Sequence, residues 1–253
     1  MAPTRDAAIC LSHQDWSETS QLATLLTRGH GLVRGLAKGS RREKSAYSGG
    51  LETLTRGELG VILKAEGLDV LASWDLVDPA TGFRDSLLAF RLGLYAADAT
   101  RHLLIEHDPH PRAFDGLAGF LEDVGGRGAG EPRGPLLSYL LLLAEDTGHR
   151  PELEVDQRSG EPLETADVYA FSLESGGARA HDPGRASTDP SEVLMRSATL
   201  GLLRAVSRGG AGDADAETLR RALGFVDAWL GYRVGRRLPA SSSLLEALGW
   251  AAK

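Results

Sequence analysis

Five short apolar runs, each about the length of a β-strand, fill roughly the first 80 residues and are separated by turn-forming segments. They lie at residues 7–16, 22–27 and 32–38 and on the two sides of Gly67 in "GELGVILKAEGLDVLASWDLVD". Leu22–Thr27 and Leu32–Lys38 flank "RGHG", whose two glycines favour the turn of an antiparallel hairpin. Short strands without an intervening helix predict a small closed β-barrel rather than a βαβ unit.

The pattern changes after "DPATGF". Apolar residues at helical spacing predict helices in "DSLLAFRLGLYAADATRHLLIEH", "RAFDGLAGFLEDV" and "PLLSYLLLLAEDTG". Residues 151–190 are polar and turn-rich, with one strand candidate at Val168–Ser172. A helix is also predicted in "SEVLMRSATLGLLRAV", where a serine and a glutamate suit the N-terminus, and another in "DAETLRRALGFVDAWLGYRVGRRL". We expect an α+β chain, with a barrel domain at 1–82 and a helical domain at 83–253 that contains an irregular insert at about 151–190.

Composition excludes several classes of protein. The single cysteine, Cys10, rules out an intramolecular disulfide and a cysteine-rich zinc site, as is typical of a reducing compartment. The N-terminal residues have no long apolar segment after a basic region, so we expect no secretory signal. The longest apolar run, near residues 135–144, is too short to span a bilayer. We therefore expect a soluble, cytoplasmic protein.

Positive charge is concentrated in one part of this acidic chain. From Arg28 to Lys44 there are six basic residues and one acidic residue, a net charge of +5. Because the whole chain has a net charge of −7, the other residues together carry −12. Such asymmetry is typical of a protein with one face that meets a polyanion. A solvated hairpin with ordinary surface cations is the alternative.

The basic residues of this stretch are candidates for contact with nucleic acid. Strand alternation places Arg34 and Lys38 on one face, with Leu36 between them, while Val33, Gly35 and Ala37 share the other face. The polar loop that follows adds Arg41, Arg42 and Lys44, and Tyr47 is expected to stack on a base.

Motifs of catalysis are missing from the sequence. "GGRGAGEPRG" follows no strand and precedes no Gly-Lys-Ser/Thr, so it does not match a phosphate-binding loop. There is no Gly-x-Ser-x-Gly or His-Glu-x-x-His motif. The segment "LLIEHDPHPR" contains four residues of types that bind metals, Glu106, His107, Asp108 and His110. A metal site is one interpretation, but the spacing with flanking prolines favours a solvated loop between helices. We expect neither an enzyme nor a cofactor.

Three segments resemble the RecO family of bacterial recombination mediators. "DWSETSQLATLLTRGHGLVRGLAKGSRREKS" is similar to the N-terminal barrel of that family, and "LGYRVGRRLPASSSLLE" is similar to its last helix and loop. Between them, "FRLGLYAADATRHLLIEHDPHPRAFDGLAGFLEDV" has the spacing of its first helices. The resemblance implies an oligonucleotide-binding (OB-fold) barrel followed by an α-helical domain, and it implies DNA contact by Arg34, Lys38, Arg41, Arg42 and Lys44.

The family resemblance also implies a zinc module that this chain departs from. Many members carry four cysteines where this chain has "LEVDQRSGEPLETADVYAFSLESGGARAHDP", and the matching positions here are Asp156, Ser159, Ala180 and Pro183. Alanine and proline side chains do not ligate zinc, and serine is a poor substitute for a thiolate. We expect a zinc-finger-like insert without metal, packed around Val168, Tyr169 and Phe171 or else mobile.

Two functions follow from the resemblance. The first is a mediator of recombinational DNA repair in the nucleoid, which binds single- and double-stranded DNA, anneals complementary strands and helps RecR load RecA on DNA coated with the single-stranded DNA-binding protein SSB. The second is an adaptor that recruits SSB or RecR and binds DNA weakly. For the SSB tail the candidate residues are Trp229, Tyr232, Arg233, Arg236 and Arg237, although a helix that packs its aromatic residues into the bundle is the commoner arrangement.

Overall fold

The computed structural model describes residues 3–47, 49–125, 130–184, 189–210 and 214–250, which divide into two compact units, Met1–Pro132 and Arg133–Lys253. The first unit contains five strands and two helices: β1 (Thr4–Asp15), β2 (Gln21–Thr27), β3 (Gly31–Ala37), β4 (Arg56–Ile62), β5 (Asp69–Asp78), α1 (Leu87–Leu103) and α2 (Pro111–Gly125). A short 3-10 helix at Thr81–Asp85 precedes α1. The predicted boundary at residue 82 separates strands from helices, whereas compactness groups α1 and α2 with the barrel.

The five strands of the first unit form a closed barrel in the order β1-β2-β3-β5-β4. All neighbours are antiparallel except β3 and β5, which run parallel from Gly35 opposite Asp69 to Ala37 opposite Leu71. A five-stranded closed barrel of this kind fits an OB-fold. The predicted α+β class and N-terminal OB-fold barrel are confirmed.

The long first strand closes the barrel. Its first half pairs with β4 from Thr4 to Ile9, and its second half pairs with β2 from Ala8 to Asp15. The β1–β2 register shifts between Cys10 and Ser12. Such a bulge bends a strand and increases its twist, which allows one strand to serve two neighbours around a tight barrel.

Alternation along the strands fills the barrel interior. Val33 and Ala37 point inward and are buried, while Arg34 and Lys38 are exposed, as the sequence pattern predicts. The interior cluster also contains Leu25, Leu59, Leu71, Trp74 and Cys10. Burial raises the pKa of the Cys10 thiol to about 12, so this thiol stays protonated and unreactive near neutral pH.

The segment between α1 and α2 docks against the barrel. His107 donates its backbone N–H to the Leu32 carbonyl at 3.0 Å, and its Nε2 lies 2.8 Å from the buried carboxylate of Asp69. Gly31 has φ +70°, and a Cβ there would lie 2.0 Å from the Asp108 carbonyl oxygen, so this close approach requires glycine. This geometry fits a loop between helices, which was the alternative to a metal site in "LLIEHDPHPR". Among the described residues no group of three or more His, Cys, Asp or Glu side chains is arranged to hold a metal.

In its described residues the second unit combines four helices with a three-stranded sheet. Its elements are α3 (Arg133–Asp146), β6 (Val168–Ser172), β7 (Gly177–Ala180), β8 (Glu192–Arg196), α4 (Ser197–Ser207), α5 (Ala216–Val234) and α6 (Ser241–Ala247). The strand order is β7-β6-β8, and both pairs are antiparallel. The predicted strand at Val168–Ser172 is confirmed as the central strand. No helix in the described part of the chain has the length and apolar character needed to cross a membrane.

The predicted helix start at Ser191 and Glu192 is wrong. Glu192–Arg196 forms strand β8, and helix α4 begins at Ser197. The Ser191 hydroxyl donates to Asp189 instead of capping a helix, and the Glu192 carboxylate accepts from Arg179 of β7 at 2.6 Å. Residues that suit a helix N-terminus thus stabilise a turn and a sheet face.

The predicted insert is ordered by hydrogen bonds and packing where the structure describes it. Asp156, which stands where the family has its first cysteine, accepts hydrogen bonds from the backbone N–H groups of Arg158 and Ser159 and closes a tight turn. Ala180, which stands where the family has its third cysteine, pairs with Tyr169 in the sheet. Of the expected packing residues, Tyr169 and Phe171 are buried and Val168 is partly exposed. The absence of zinc stays a prediction, which elemental analysis of the purified protein tests.

Phe171 is expected to be the main apolar anchor of the insert. It is fully buried and meets Phe225 and Trp229 edge-to-face, with ring centroids 4.8 Å and 5.3 Å away. Because truncation leaves a cavity, Phe171→Ala should lower the free energy of unfolding by about 3–5 kcal/mol in urea denaturation of the full chain. The matched control, Leu194→Ala on β8, is 62% exposed and should change it by less than about 0.5 kcal/mol. A midpoint that falls on adding EDTA would show that a metal, not packing, holds the insert.

Candidate nucleic-acid interface

Two exposed cations lie on the outer face of β3 and at the residue that follows it. Arg34 and Lys38 are exposed, and Leu36 between them is partly exposed. On β2, Thr24 lies opposite Arg34 and is also partly exposed. This part of the β2–β3 surface is therefore open to solvent, which is the face that OB-folds use for oligonucleotides.

The loop after β3 presents the other predicted cations, and we call residues 38–44 the basic loop. Gly39 has φ +74°, the Ser40 N–H donates to Ala37 and the Arg42 N–H donates to Gly39. These successive turns leave Arg41, Arg42, Glu43 and Lys44 exposed. Within the described residues the side chains of Arg34, Lys38, Arg42 and Lys44 form no hydrogen bond or ion pair, so four cations remain available to a ligand.

A buried amide holds the basic loop to the barrel. The Oε1 atom of Gln21 accepts from the Ser40 hydroxyl at 2.9 Å and from the Leu51 N–H at 3.0 Å. Its Nε2 atom donates to the Leu51 carbonyl at 3.1 Å. The side chains of Gln21 and Ser40 are buried, so these bonds are made away from water, where an unmade bond is costly. Gln21 thus fixes both ends of the segment between Ser40 and Leu51.

Among the described residues, Arg41 is the one candidate cation with an acidic partner. Its Nη1 lies 2.7 Å from Oδ2 of Asp15 at the end of β1, and both side chains are about half exposed. Its backbone N–H also donates to the Thr19 carbonyl at 3.1 Å. The positive charge of Arg41 is therefore partly neutralised within the protein.

Arg28, which contributed to the charge count, is also committed elsewhere. Its guanidinium binds the Asp115 carboxylate of α2 through two hydrogen bonds of 2.9 Å. These bonds raise the pKa of Arg28 and lower the pKa of Asp115. Arg28 is thus an anchor for α2 on the barrel.

The prediction that Tyr47 stacks on a base is wrong for this structure. Tyr47 is only 4% exposed, belongs to the barrel interior and donates its hydroxyl to the Leu71 carbonyl. Burial raises the pKa of this phenol. The loop folds back at Tyr47, and the ring of this residue closes the barrel. The polar residues around Tyr47 in the sequence do not indicate that it is buried.

An aromatic residue that sequence reasoning missed lies beside the basic loop. Trp16 follows β1 and is 61% exposed. It belongs to the turn at residues 16–20, whose Thr19 carbonyl accepts from Arg41 and whose Ser20 hydroxyl accepts from Gly39. A tryptophan inside the polar stretch "DWSETS" was the available signal.

The predicted partner-binding residues of α5 do not form an open groove. Trp229 is buried and donates its Nε1–H to the His149 carbonyl at 2.9 Å. Arg233 lies over the rings of Trp229 and Tyr232 and donates to the carbonyls of Leu173 and Glu174. Tyr232 is 41% exposed, and Arg236 and Arg237 are exposed. Trp229 is therefore a core residue, in agreement with the alternative of a helix that packs its aromatic residues into the bundle, and binding of the SSB tail by Tyr232, Arg233, Arg236 and Arg237 stays a prediction.

A cavity of about 540 Å³ lies between α5 and β8. Its walls are mostly apolar, and its lining includes Val193, Leu194, Phe225 and Trp250. Two arginines, Arg196 and Arg221, also line it, and Arg221 is paired with Glu217 at 2.8 Å. Apolar walls and cations thus occur together in this cavity.

Comparison with known proteins identifies the family. The family models "Recombination protein O N terminal" and "Recombination protein O C terminal" match residues 1–80 and 84–242. The chain belongs to the RecO family. It is 29% identical to the DNA repair protein RecO of Myxococcus xanthus (strain DK1622), over 92% of this chain and 93% of the relative. It is 31% identical to the DNA repair protein RecO of Anaeromyxobacter sp. (strain K), over 94% of each chain. RecO family membership supports a role in DNA repair and recombination.

The pair between Arg41 and Asp15 makes a prediction about charge. Asp15→Asn releases Arg41 and should raise affinity for single-stranded DNA about two- to five-fold, because an exposed ion pair is worth up to about 1 kcal/mol. The slope of log K against log salt should steepen by about 0.7. Fluorescence anisotropy across a salt series measures both.

Glu18→Gln is the matched control for Asp15→Asn. It removes the same charge from the adjoining turn, and Glu18 is exposed with no ion pair among the described residues. A gain in affinity equal to that of Asp15→Asn would mean that net charge, and not the release of Arg41, is responsible.

Proposed function

We propose that this protein is a DNA-binding mediator of recombinational repair. It binds single- and double-stranded DNA, anneals complementary strands and, with RecR, helps load RecA onto SSB-coated DNA. The observation that carries the proposal is a group of four cations, Arg34, Lys38, Arg42 and Lys44, which have no ion-pair partner among the described residues and lie on the β2–β3 face and adjoining loop of an OB-fold barrel. Family membership supports the same role.

Annealing needs no catalytic residue in this proposal. Two complementary strands repel each other through their phosphates, and cations that neutralise some of these phosphates reduce the barrier to their approach. Base pairing then supplies the free energy. A protein that works in this way is not an enzyme. In this proposal it acts in the cytoplasm at the nucleoid, where the DNA lies.

Local and net charge have opposite effects on binding. The chain carries −7 overall, so carboxylates remote from the barrel oppose DNA at long range. At physiological salt the Debye length is about 8 Å, which screens remote carboxylates more than direct phosphate contacts. The proposal therefore predicts moderate affinity with a strong dependence on salt.

Charge reversal of the basic loop tests the proposal. The double variant Arg42→Glu and Lys44→Glu replaces two phosphate contacts by two repulsions and should weaken binding of single-stranded DNA by about ten-fold or more at 0.1 M salt. Strand annealing should slow in parallel. The measurements are fluorescence anisotropy with a labelled oligonucleotide and annealing of two complementary labelled strands.

The control is the double variant Arg150→Glu and Arg158→Glu. It makes the same change in net charge at two exposed arginines of the second unit. It should reduce affinity by less than about two-fold, because these residues lie outside the proposed DNA face. Equal losses in the two variants would assign binding to overall charge and would reject the barrel as the DNA site.

The alternative function is an adaptor that recruits SSB or RecR and binds DNA weakly. One observation favours it: the apolar cavity beside α5, with Arg196 and Arg221, has the composition that an apolar peptide with an acidic end requires. The charge-reversal experiment separates the two functions. Weak DNA binding that is unchanged by Arg42→Glu and Lys44→Glu would favour the adaptor.

A further inference from the structure

Trp16 differs from the other tryptophans in its environment. All four tryptophans lie within the described residues: Trp74 and Trp229 are buried, and Trp250 is partly buried with Arg220 over its ring. Trp16 alone among them is exposed, at 61%. An isolated exposed apolar side chain needs no explanation by itself, so its position is what matters.

The backbone around Trp16 is fixed. The Trp16 N–H donates to the Ser20 carbonyl at 2.9 Å, and the Ser17 N–H donates to the same oxygen at 3.2 Å. Asp15, the preceding residue, pairs with Gln21 at the end of the β1–β2 ladder. The indole is thus carried on a tight turn attached to the rim of the barrel.

The same turn is hydrogen-bonded to the basic loop. The Arg41 N–H donates to the Thr19 carbonyl at 3.1 Å, and the Gly39 N–H donates to the Ser20 hydroxyl at 3.2 Å. The Arg41 guanidinium reaches back to Asp15, next to Trp16 in the chain. Hydrogen bonds therefore hold the turn that carries the exposed ring to the loop that carries the cations.

A site for single-stranded nucleic acid has two components, cations and an exposed aromatic ring. The cations follow the sugar–phosphate backbone, and the aromatic ring stacks on a base that is not paired. Tyr47, the aromatic residue predicted for this task, lies inside the barrel and leaves the role unfilled. Stacking depends little on charge, so the exposed carboxylate of Glu18 in the same turn does not prevent it.

We propose that Trp16 stacks on an unpaired base of single-stranded DNA bound along Arg34, Lys38, Arg42 and Lys44. This inference rests on the proposed DNA binding and adds strand selectivity to it. In a duplex the bases are already stacked on each other, so Trp16 gains little there. The cations serve both kinds of DNA, whereas Trp16 favours the single strand.

The test compares Trp16→Ala and Trp16→Phe with the unmodified protein. The probes are a labelled oligothymidylate and a labelled duplex of the same length, followed by fluorescence anisotropy. Trp16→Ala should weaken single-strand binding on the order of ten-fold, since stacking is worth about 1–3 kcal/mol per base. Duplex binding should change by less than two-fold, and Trp16→Phe should retain most single-strand affinity. The salt slope should stay the same, because no phosphate contact is lost.

Two further readouts exclude indirect effects. Oligothymidylate should quench tryptophan fluorescence in the unmodified protein, and this quenching should disappear in Trp16→Ala. The control Ile105→Ala removes an apolar side chain that is 70% exposed on the α1–α2 loop and should bind both probes normally. Folding of each variant is checked by its urea midpoint.

The outcomes separate this inference from the proposed function. Single-strand binding that is unaffected by Trp16→Ala but lost in the Arg42→Glu and Lys44→Glu variant would overturn the stacking role and leave the DNA-binding proposal standing. Equal losses for single strand and duplex would also overturn it. Absence of DNA binding by the unmodified protein at low salt would overturn both.

Discussion

Closure of the barrel by β1 is the constraint on which the candidate interface depends. One strand pairs with β4 through its first half and with β2 through its second half, and a bulge between Cys10 and Ser12 accommodates the bend. The end of β1 is thereby placed next to the loop that leaves β3. Gln21, opposite Asp15, then bonds Ser40 and Leu51 and fixes that loop. The positions of the cations thus follow from strand pairing and one buried amide.

The pairing of charges explains how an acidic chain presents a basic surface. Arg28 and Arg56 of the first unit bind carboxylates of α2, and Arg56 also binds Asp78. These arginines hold the unit together. Arg34, Lys38, Arg42 and Lys44 are available for a different role, because their side chains form no ion pair within the described residues. Arg41, held by Asp15, is intermediate between the two groups.

Much of the fold was predictable because alternation and helical periodicity are local properties. The hairpin of β2 and β3, the exposed face of Arg34 and Lys38, and the strand Val168–Ser172 all follow from patterns within about ten residues. Ser191 and Glu192 misled because the same residues that cap helices also stabilise turns and cross-strand pairs. In that case long-range pairing with β6 decided the structure.

The aromatic residues of the candidate sites were the least predictable part. Tyr47 lies in a polar loop, yet it is buried, whereas Trp229 is buried as expected for a helix that packs its aromatic residues into the bundle. Trp16 occupies a polar turn and stays exposed. Whether a ring is buried depends on what packs over it from distant parts of the chain, and no local pattern contains that information. The cations were placed more successfully because water holds them at the surface in any fold.

The central claim is that the cations of β3 and the basic loop contact DNA phosphates directly. The most direct measurement is the affinity of the unmodified protein for single-stranded DNA across a salt series. Four cations without an ion-pair partner among the described residues, together with the partly neutralised Arg41, predict a slope of log K against log salt between about −2.8 and −3.5. A slope near zero, or weak binding that persists at low salt, would contradict phosphate contact and with it the assignment of this surface.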